Sequence, residues 1–154
     1  MTSPDARLAE LGITLPQAVA PAANYVPARR SGTFVYIAGQ VPTADGRDQY
    51  VGKLGRDVSV EDGQKAARLC AINILAQLRN ALGGSLDSVV GCVRLGGFVN
   101  ATPEFGDQPK VINGASDLMV AVFGDAGRHA RAAVGCASLP RNVAVEVDAI
   151  FEVR

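Results

Sequence analysis

The sequence predicts an α+β domain: one mixed β-sheet packed on two helices that lie on the same face, in the order β-β-α-β-α-β-β, with an extra short helix at the N-terminus. Three observations predict it. Two long segments carry apolar residues at helical spacing, strand-like segments alternate with them, and the strands begin as a hairpin and end as a pair. The 154 residues fit one domain without internal linker or repeat, enough to bury roughly two-thirds of the unfolded surface.

Ser3-Pro4-Asp5 places a capping side chain before a proline at the first helical position, and Gly12 is a natural stop after Leu8 and Leu11. Pro16, Pro21 and Pro27 keep the next segment extended. Residues 1–24 therefore form an N-terminal extension with a short helix, and 25–154 the domain proper. Tyr25 to Arg29, Ser31-Gly32 and "TFVYIAGQVP" predict a hairpin whose second strand starts near Thr33. Phe34, Tyr36 and Ala38 alternate with Val35, Ile37 and Gly39, so both faces of that strand are apolar, which predicts a central strand covered on both sides. A polar loop follows from Thr43 to about Asp57.

Ser59 and Asp62 resemble a capping box with a shorter acid, opening the longest helix, which ends at Gly83-Gly84. Ala67, Ala71, Ile74, Leu78 and Leu82 share its apolar face, and Glu61 and Lys65 have the favourable i,i+4 order. Val89 to Asn100 reads as a strand with Gly96-Gly97 as a candidate bulge. A second helix spans Gln108 to Phe123, stopped by Gly124, and strands near Ala132–Ala137 and Val143–Val153 close the domain.

Lysine plus arginine equals aspartate plus glutamate, 15 of each, so no global field attracts nucleic acid or an anionic membrane. The three cysteines, Cys70, Cys92 and Cys136, lack CxxC spacing and sit in apolar surroundings, which fits a reducing, cytoplasmic setting. No basic start with an apolar run and no stretch near the roughly 20 residues of a membrane span is present. Nucleotide-binding glycine motifs and the GxSxG elbow are absent. His129 is the only histidine, so neither a metal site nor a Ser-His-Asp triad is supported, and no cofactor is expected. His129 is expected at the mouth of a strand, orienting Arg131 or a turn.

The C-terminal third carries the strongest functional signal. In "RHARAAVGCASLP" the strand that Arg131 enters places Ala133, Gly135 and Ala137 on the arginine's face, the smallest side chains available. Periodicity leaves two readings open: an arginine at a strand edge, or a clamp beside a cavity. In the last strand Ala144, Glu146, Asp148, Ile150 and Glu152 share one face. Strands joined by the Leu139-Pro140 turn are expected to pair, bringing Arg131 and an acid to one small cavity.

These residues resemble the reactive intermediate deaminase family, also called Rid or YjgF, in "RAAVGCASLPRNVAVEVDAIFEV" and upstream in "YIAGQVP", "NYVPARRSG", "GFVNATPEF" and "VINGASDLMVAVF". The resemblance runs from about Tyr25 to the C-terminus. It implies a chorismate mutase-like fold, a homotrimer with clefts between subunits, and hydrolysis of 2-imino or 2-enamino acids to 2-oxo acids and ammonia without metal or organic cofactor. By position, Arg131 matches the arginine that clamps the substrate carboxylate, a task for which planar bidentate geometry favours arginine. Gly39 matches the point of close backbone approach, Glu146 the acid that positions or activates water, Tyr25 a tyrosine lining the cleft, and Asn113 a helix asparagine near it. Ala133 stands where the family commonly has a cysteine. A non-catalytic protein binding 2-oxo acids in the same cleft is the alternative, and a ribonuclease or translation-inhibitor role a third.

Overall fold

The computed structural model describes residues 2–21 and 23–154. Its five-stranded sheet has the order β1-β2-β7-β5-β6, built from β1 (Ala28–Ser31), β2 (Phe34–Gln40), β5 (Val89–Asn100), β6 (Ala130–Cys136) and β7 (Val145–Val153). A small hairpin, β3 (Thr43–Ala44) and β4 (Arg47–Asp48), stands apart within the expected polar loop. Helices α2 (Val60–Ala81) and α3 (Gln108–Phe123) pack on one sheet face, and the short α1 (Pro4–Glu10) inserts Leu8 into the same core.

The helix ends follow from local chemistry. Ser59 Oγ accepts from the Asp62 amide at 3.1 Å, closing the first turn of α2. Lys65 pairs with Asp62 at 3.7 Å, so the i,i+3 partner replaces the expected Glu61. The two helices approach so closely that a Cβ on Gly114 would collide with the Gln64 carbonyl. From α2 and α3, Ile74, Leu75, Ile112 and Met119, and from the sheet, Leu95 and Phe151 are fully buried, and truncating such a side chain to alanine costs about 2–5 kcal/mol. Burial pushes the Cys70 thiol up and raises Cys92 to about 12, so both are inert core residues.

Three local expectations change. Gly96 and Gly97 lie in regular register, and the bulges fall earlier in β5, between Val89 and Gly91 and between Cys92 and Arg94. The pair is glycine for space: a Cβ on Gly96 would meet the Asp148 carboxylate on one face, and one on Gly97 would meet Ile112 on the other. Strand β2 is covered on one side only within the chain. Val35 and Ile37 are buried, whereas Phe34 and Tyr36 keep 40% and 47% of their surface exposed.

The third change matters most: β6 and β7 do not pair. α3 carries the chain from β5 back to a parallel β6 on its outer side, and β5 pairs antiparallel with β7 on its inner side. The Leu-Pro segment is therefore a connection passing over the end of β5, with Arg141 and Asn142 at positive φ (53° and 59°). Buried Asn100 holds it there, donating from Nδ2 to Asn142 Oδ1 at 2.9 Å and to the Val143 carbonyl at 3.1 Å. Among the described residues no helix is long and apolar enough to cross a membrane.

Candidate functional site

The sequence-predicted residues fall into two groups. Arg131 opens β6, and its guanidinium reaches across to α3. Nη1 donates to Asn113 Oδ1 at 2.8 Å and to Ser116 Oγ at 3.1 Å, and Nη2 donates to the Pro109 carbonyl at 3.2 Å. Among the described residues its Nε proton has no partner, and Nη2 donates once. All three partners are neutral, and no carboxylate among the described residues pairs with the cation. A guanidinium fixed by neutral partners, with donors to spare and no carboxylate paired to it, suits a carboxylate ligand.

His129 braces this arrangement from behind. Its Nδ1 lies 2.6 Å from the Gly127 carbonyl, which can only accept, so Nδ1 carries the proton. In the neutral ring Nε2 then accepts from the Ser116 hydroxyl at 2.8 Å, leaving the Ser116 oxygen to accept from Arg131. Ser116 was invisible in the sequence because nothing local marks a helix serine as the link between a histidine and an arginine.

The second group lines a cleft of about 840 Å³ that includes Tyr25, Gly39, Gln40, Asn73, Arg141 and Glu146. The β2–β7 register shifts between Ile37 and Gln40, a bulge that lifts Gly39 toward the carboxylate of Glu146. A Cβ there would stand 2.9 Å from Glu146 Oε1, so glycine leaves the backbone open beside the acid. Burial pushes Glu146 above its ordinary value, the neighbouring Asp148 charge adds to the rise, and Arg141 opposes it. Arg141 in turn grips Asp48 with two bonds of 2.6 and 2.9 Å, fixing the β3–β4 hairpin at the rim and holding Asp48 below the usual carboxylate range. Asn73 Nδ2 donates to the Val41 and Thr43 carbonyls, and Gln77 Nε2 to Val19, tying α2 to the other walls.

The two groups face away from each other. Leu95 stands opposite both Arg131 and Ala149, while Phe98 stands opposite both Val134 and Glu146. Leu95 and Phe98 are an odd number of residues apart in continuous register, so Arg131 lies on the helix-covered face and Glu146 on the open one. Within one chain the expected meeting of Arg131 with an acid of the last strand does not occur. Among the described residues no group of three His, Cys, Asp or Glu side chains is arranged to hold a metal ion.

The family described as YjgF/chorismate mutase-like, putative endoribonuclease matches residues 5–153. The chain belongs to that family. Protein TCP17 of Trypanosoma cruzi is 50% identical over 148 residues, covering 96% of this chain and 92% of that protein. The crystal structure of Atu1372 from Agrobacterium tumefaciens, a protein described as of unknown function, is 52% identical with a TM-score of 0.92, over 98% of this chain and 92% of that one. A putative endoribonuclease from Shewanella oneidensis is 36% identical with a TM-score of 0.94, covering 99% and 100% of the two chains. The family match includes α1, whose Leu8 belongs to the common core.

Proposed function

We propose that this protein hydrolyses 2-imino or 2-enamino acids to 2-oxo acids and ammonia, in a cleft shared by two copies of the chain within a homotrimer. The observation that carries the proposal is the opposite facing of two complementary half-sites on one sheet. Arg131 and Asn113 offer a carboxylate clamp without an acid or base, and Glu146, Gly39 and Tyr25 offer a base and an open backbone without a clamp. One chain's Arg131 set against a neighbour's Glu146 makes a complete site. The open sheet face supports close association, since Phe34, Tyr36 and Val134 present apolar surface beside half-buried Phe98 and Ile150.

In this mechanism the guanidinium of Arg131 holds the substrate carboxylate and aligns the adjacent iminium carbon. Glu146, ionised, takes a proton from water as its oxygen bonds to that carbon, giving a carbinolamine. The protonated carboxyl then returns the proton to nitrogen, and as the C–N bond breaks the regenerated carboxylate takes the hydroxyl proton, closing the C=O and passing that proton to the departing ammonia. The net change is one water consumed, one C=N replaced by C=O, and one ammonia released.

The test is to generate 2-iminobutyrate or 2-iminopropionate in situ with semicarbazide as a competing trap. Purified protein is expected to divert the imine to free 2-oxo acid and ammonia, and no diversion across several imino acids contradicts the proposal. Ala133 in place of the family's common cysteine favours a second reading, a protein that binds 2-oxo acids without turnover. That reading predicts saturable carboxylate binding, weakened in Arg131→Lys, with no ammonia released. A ribonuclease role, named in the family description, finds no support in a net charge of zero, and salt-dependent RNA binding would be needed to revive it.

A further inference from the structure

A second cavity, of about 600 Å³, lies at the carboxyl ends of the parallel strands β5 and β6. It shares no lining residue with the Glu146 cleft or with the contacts of Arg131. Its volume falls in the range of small-molecule sites, about 300–1,000 Å³. Its walls are mostly apolar, with Pro103, Phe105, Ala101 and Ala137 among them, and Lys53 and Arg56 are its charged groups.

Lys53 is held rigidly. Its amide donates to Asp57 Oδ2 at 3.0 Å, and its carbonyl accepts from the Asp57 and Val58 amides at 2.8 and 3.0 Å. Next to it, fully buried Leu54 is clamped by backbone bonds to Asn100 and Thr102 at 2.8 and 3.0 Å. Gly55 (φ 88°) lets the loop lie against Thr102 and Phe105, where a Cβ would collide. The ammonium so presented donates to Asn100 Oδ1 at 2.8 Å and to the Ala137 carbonyl. Both are neutral, and among the described residues nothing takes its third N–H. Asp57, the carboxylate at hand, is already bonded to the Arg56 guanidinium at 3.1 Å and to the Lys53 amide. Among the described residues the lining thus carries two basic side chains, of which Arg56 is paired with Asp57 just outside it and Lys53 has neutral partners alone.

We propose that this cavity binds a small organic anion, a carboxylate on an apolar body, with its charge on Lys53 and Arg56 and its body against Phe105 and Pro103. A fixed half-buried cation with neutral partners gains from an anion more than a solvated one does. The apolar walls select an organic anion over a hydrated inorganic one.

The experiment is an amide NMR titration of the ¹⁵N-labelled full chain with hexanoate, with inorganic phosphate and hexanol as comparison probes. Expected are saturable shifts at the Thr102, Gly135 and Ala137 amides, unchanged in Arg131→Ala. Affinity should fall about tenfold or more in Lys53→Gln and less in Arg56→Gln. Hexanol should not saturate these sites, and phosphate should bind more weakly than hexanoate. Shifts lost in Arg131→Ala, undiminished affinity in both charge variants, or no saturation with hexanoate would overturn the proposal. Equal binding of phosphate would overturn the organic-anion class. Should Lys53→Gln not fold, as its spectrum would show, Arg56→Gln decides, because that side chain is 61% exposed and, among the described residues, bonds only its neighbour Asp57.

Discussion

Arg131 and Glu146 sit on opposite faces of one sheet, and they are made ready by opposite means. The arginine's charge is left uncompensated because every bonded partner among the described residues is neutral: an asparagine, a serine and a carbonyl, with His129 bracing the serine. The glutamate is tuned by its surroundings, raised by burial and Asp148 and restrained by Arg141. One half is built to attract a charge and the other to exchange a proton. A binding group is best held by geometry, and an acid–base group by its environment.

Substitutions can break each half separately. Glu146→Gln removes the base, and turnover of 2-imino acids should fall about 10²- to 10⁴-fold, while binding of a 2-oxo acid inhibitor persists. Because the folded-state pKa of Glu146 is raised, its ionisation opposes folding: stability is fullest below the ordinary carboxylate pKa and is lost as pH rises through the raised value. Glu146→Gln should therefore raise the melting temperature slightly at neutral pH while lowering turnover by that factor, a combination that calorimetry and the trapping assay together would detect.

Arg131→Ala should lower kcat/KM about 10²- to 10³-fold by removing the charged clamp, with the fold intact, since its bonds join an edge strand to exposed or half-buried groups. Arg131→Lys should recover little, because an ammonium cannot present two parallel donors. Gly39→Ala should cost about tenfold in turnover by displacing the Glu146 carboxylate, with circular dichroism and melting nearly unchanged, since the atom it meets is the free end of a flexible side chain.

The smallest effects are shifts in pH dependence. Activity should be present above the raised Glu146 pKa and lost as pH falls through it, so the acidic limb of kcat/KM lies above the ordinary glutamate range. Asp148→Asn removes a neighbouring negative charge and should move that limb to lower pH. Arg141→Gln removes the opposing positive charge and should move it higher. The same two substitutions should leave carboxylate binding at Arg131 unaltered.

Much of this was legible in the sequence because periodicity and capping are local. The extent of α3 follows from helical spacing and the stop at Gly124, while the family resemblance set Tyr25, Gly39 and Glu146 at one cleft together with Arg131 and Asn113, of which the structure places the first three on its lining. The pairing of β6 was hidden. Nearness in sequence suggested a hairpin with β7, but a helical crossover and the Asn100 bonds place β5 between them. Which face Arg131 occupies depends on that register, so the separation from Glu146 was equally hidden. Lys53 and Arg141 were unmarked too, because loop residues are aimed by backbone turns such as Gly52 (φ 127°) and Arg141 (φ 53°) that no hydrophobic pattern reports. The run "GKLG" is the one trace of the first, a cation bracketed by glycines.

The central claim, that the clamp of one copy works with the base of another, is tested most directly by mixing two inactive variants. Arg131→Ala and Glu146→Gln chains are unfolded together, refolded at equal ratio and assayed on 2-iminobutyrate. Random assembly into trimers with one site per interface returns about a quarter of wild-type activity, because one interface in four joins an intact Arg131 to an intact Glu146. Recovery near that level is the predicted result. No recovery from well-formed mixed oligomers of two variants that each retain the fold would contradict the claim.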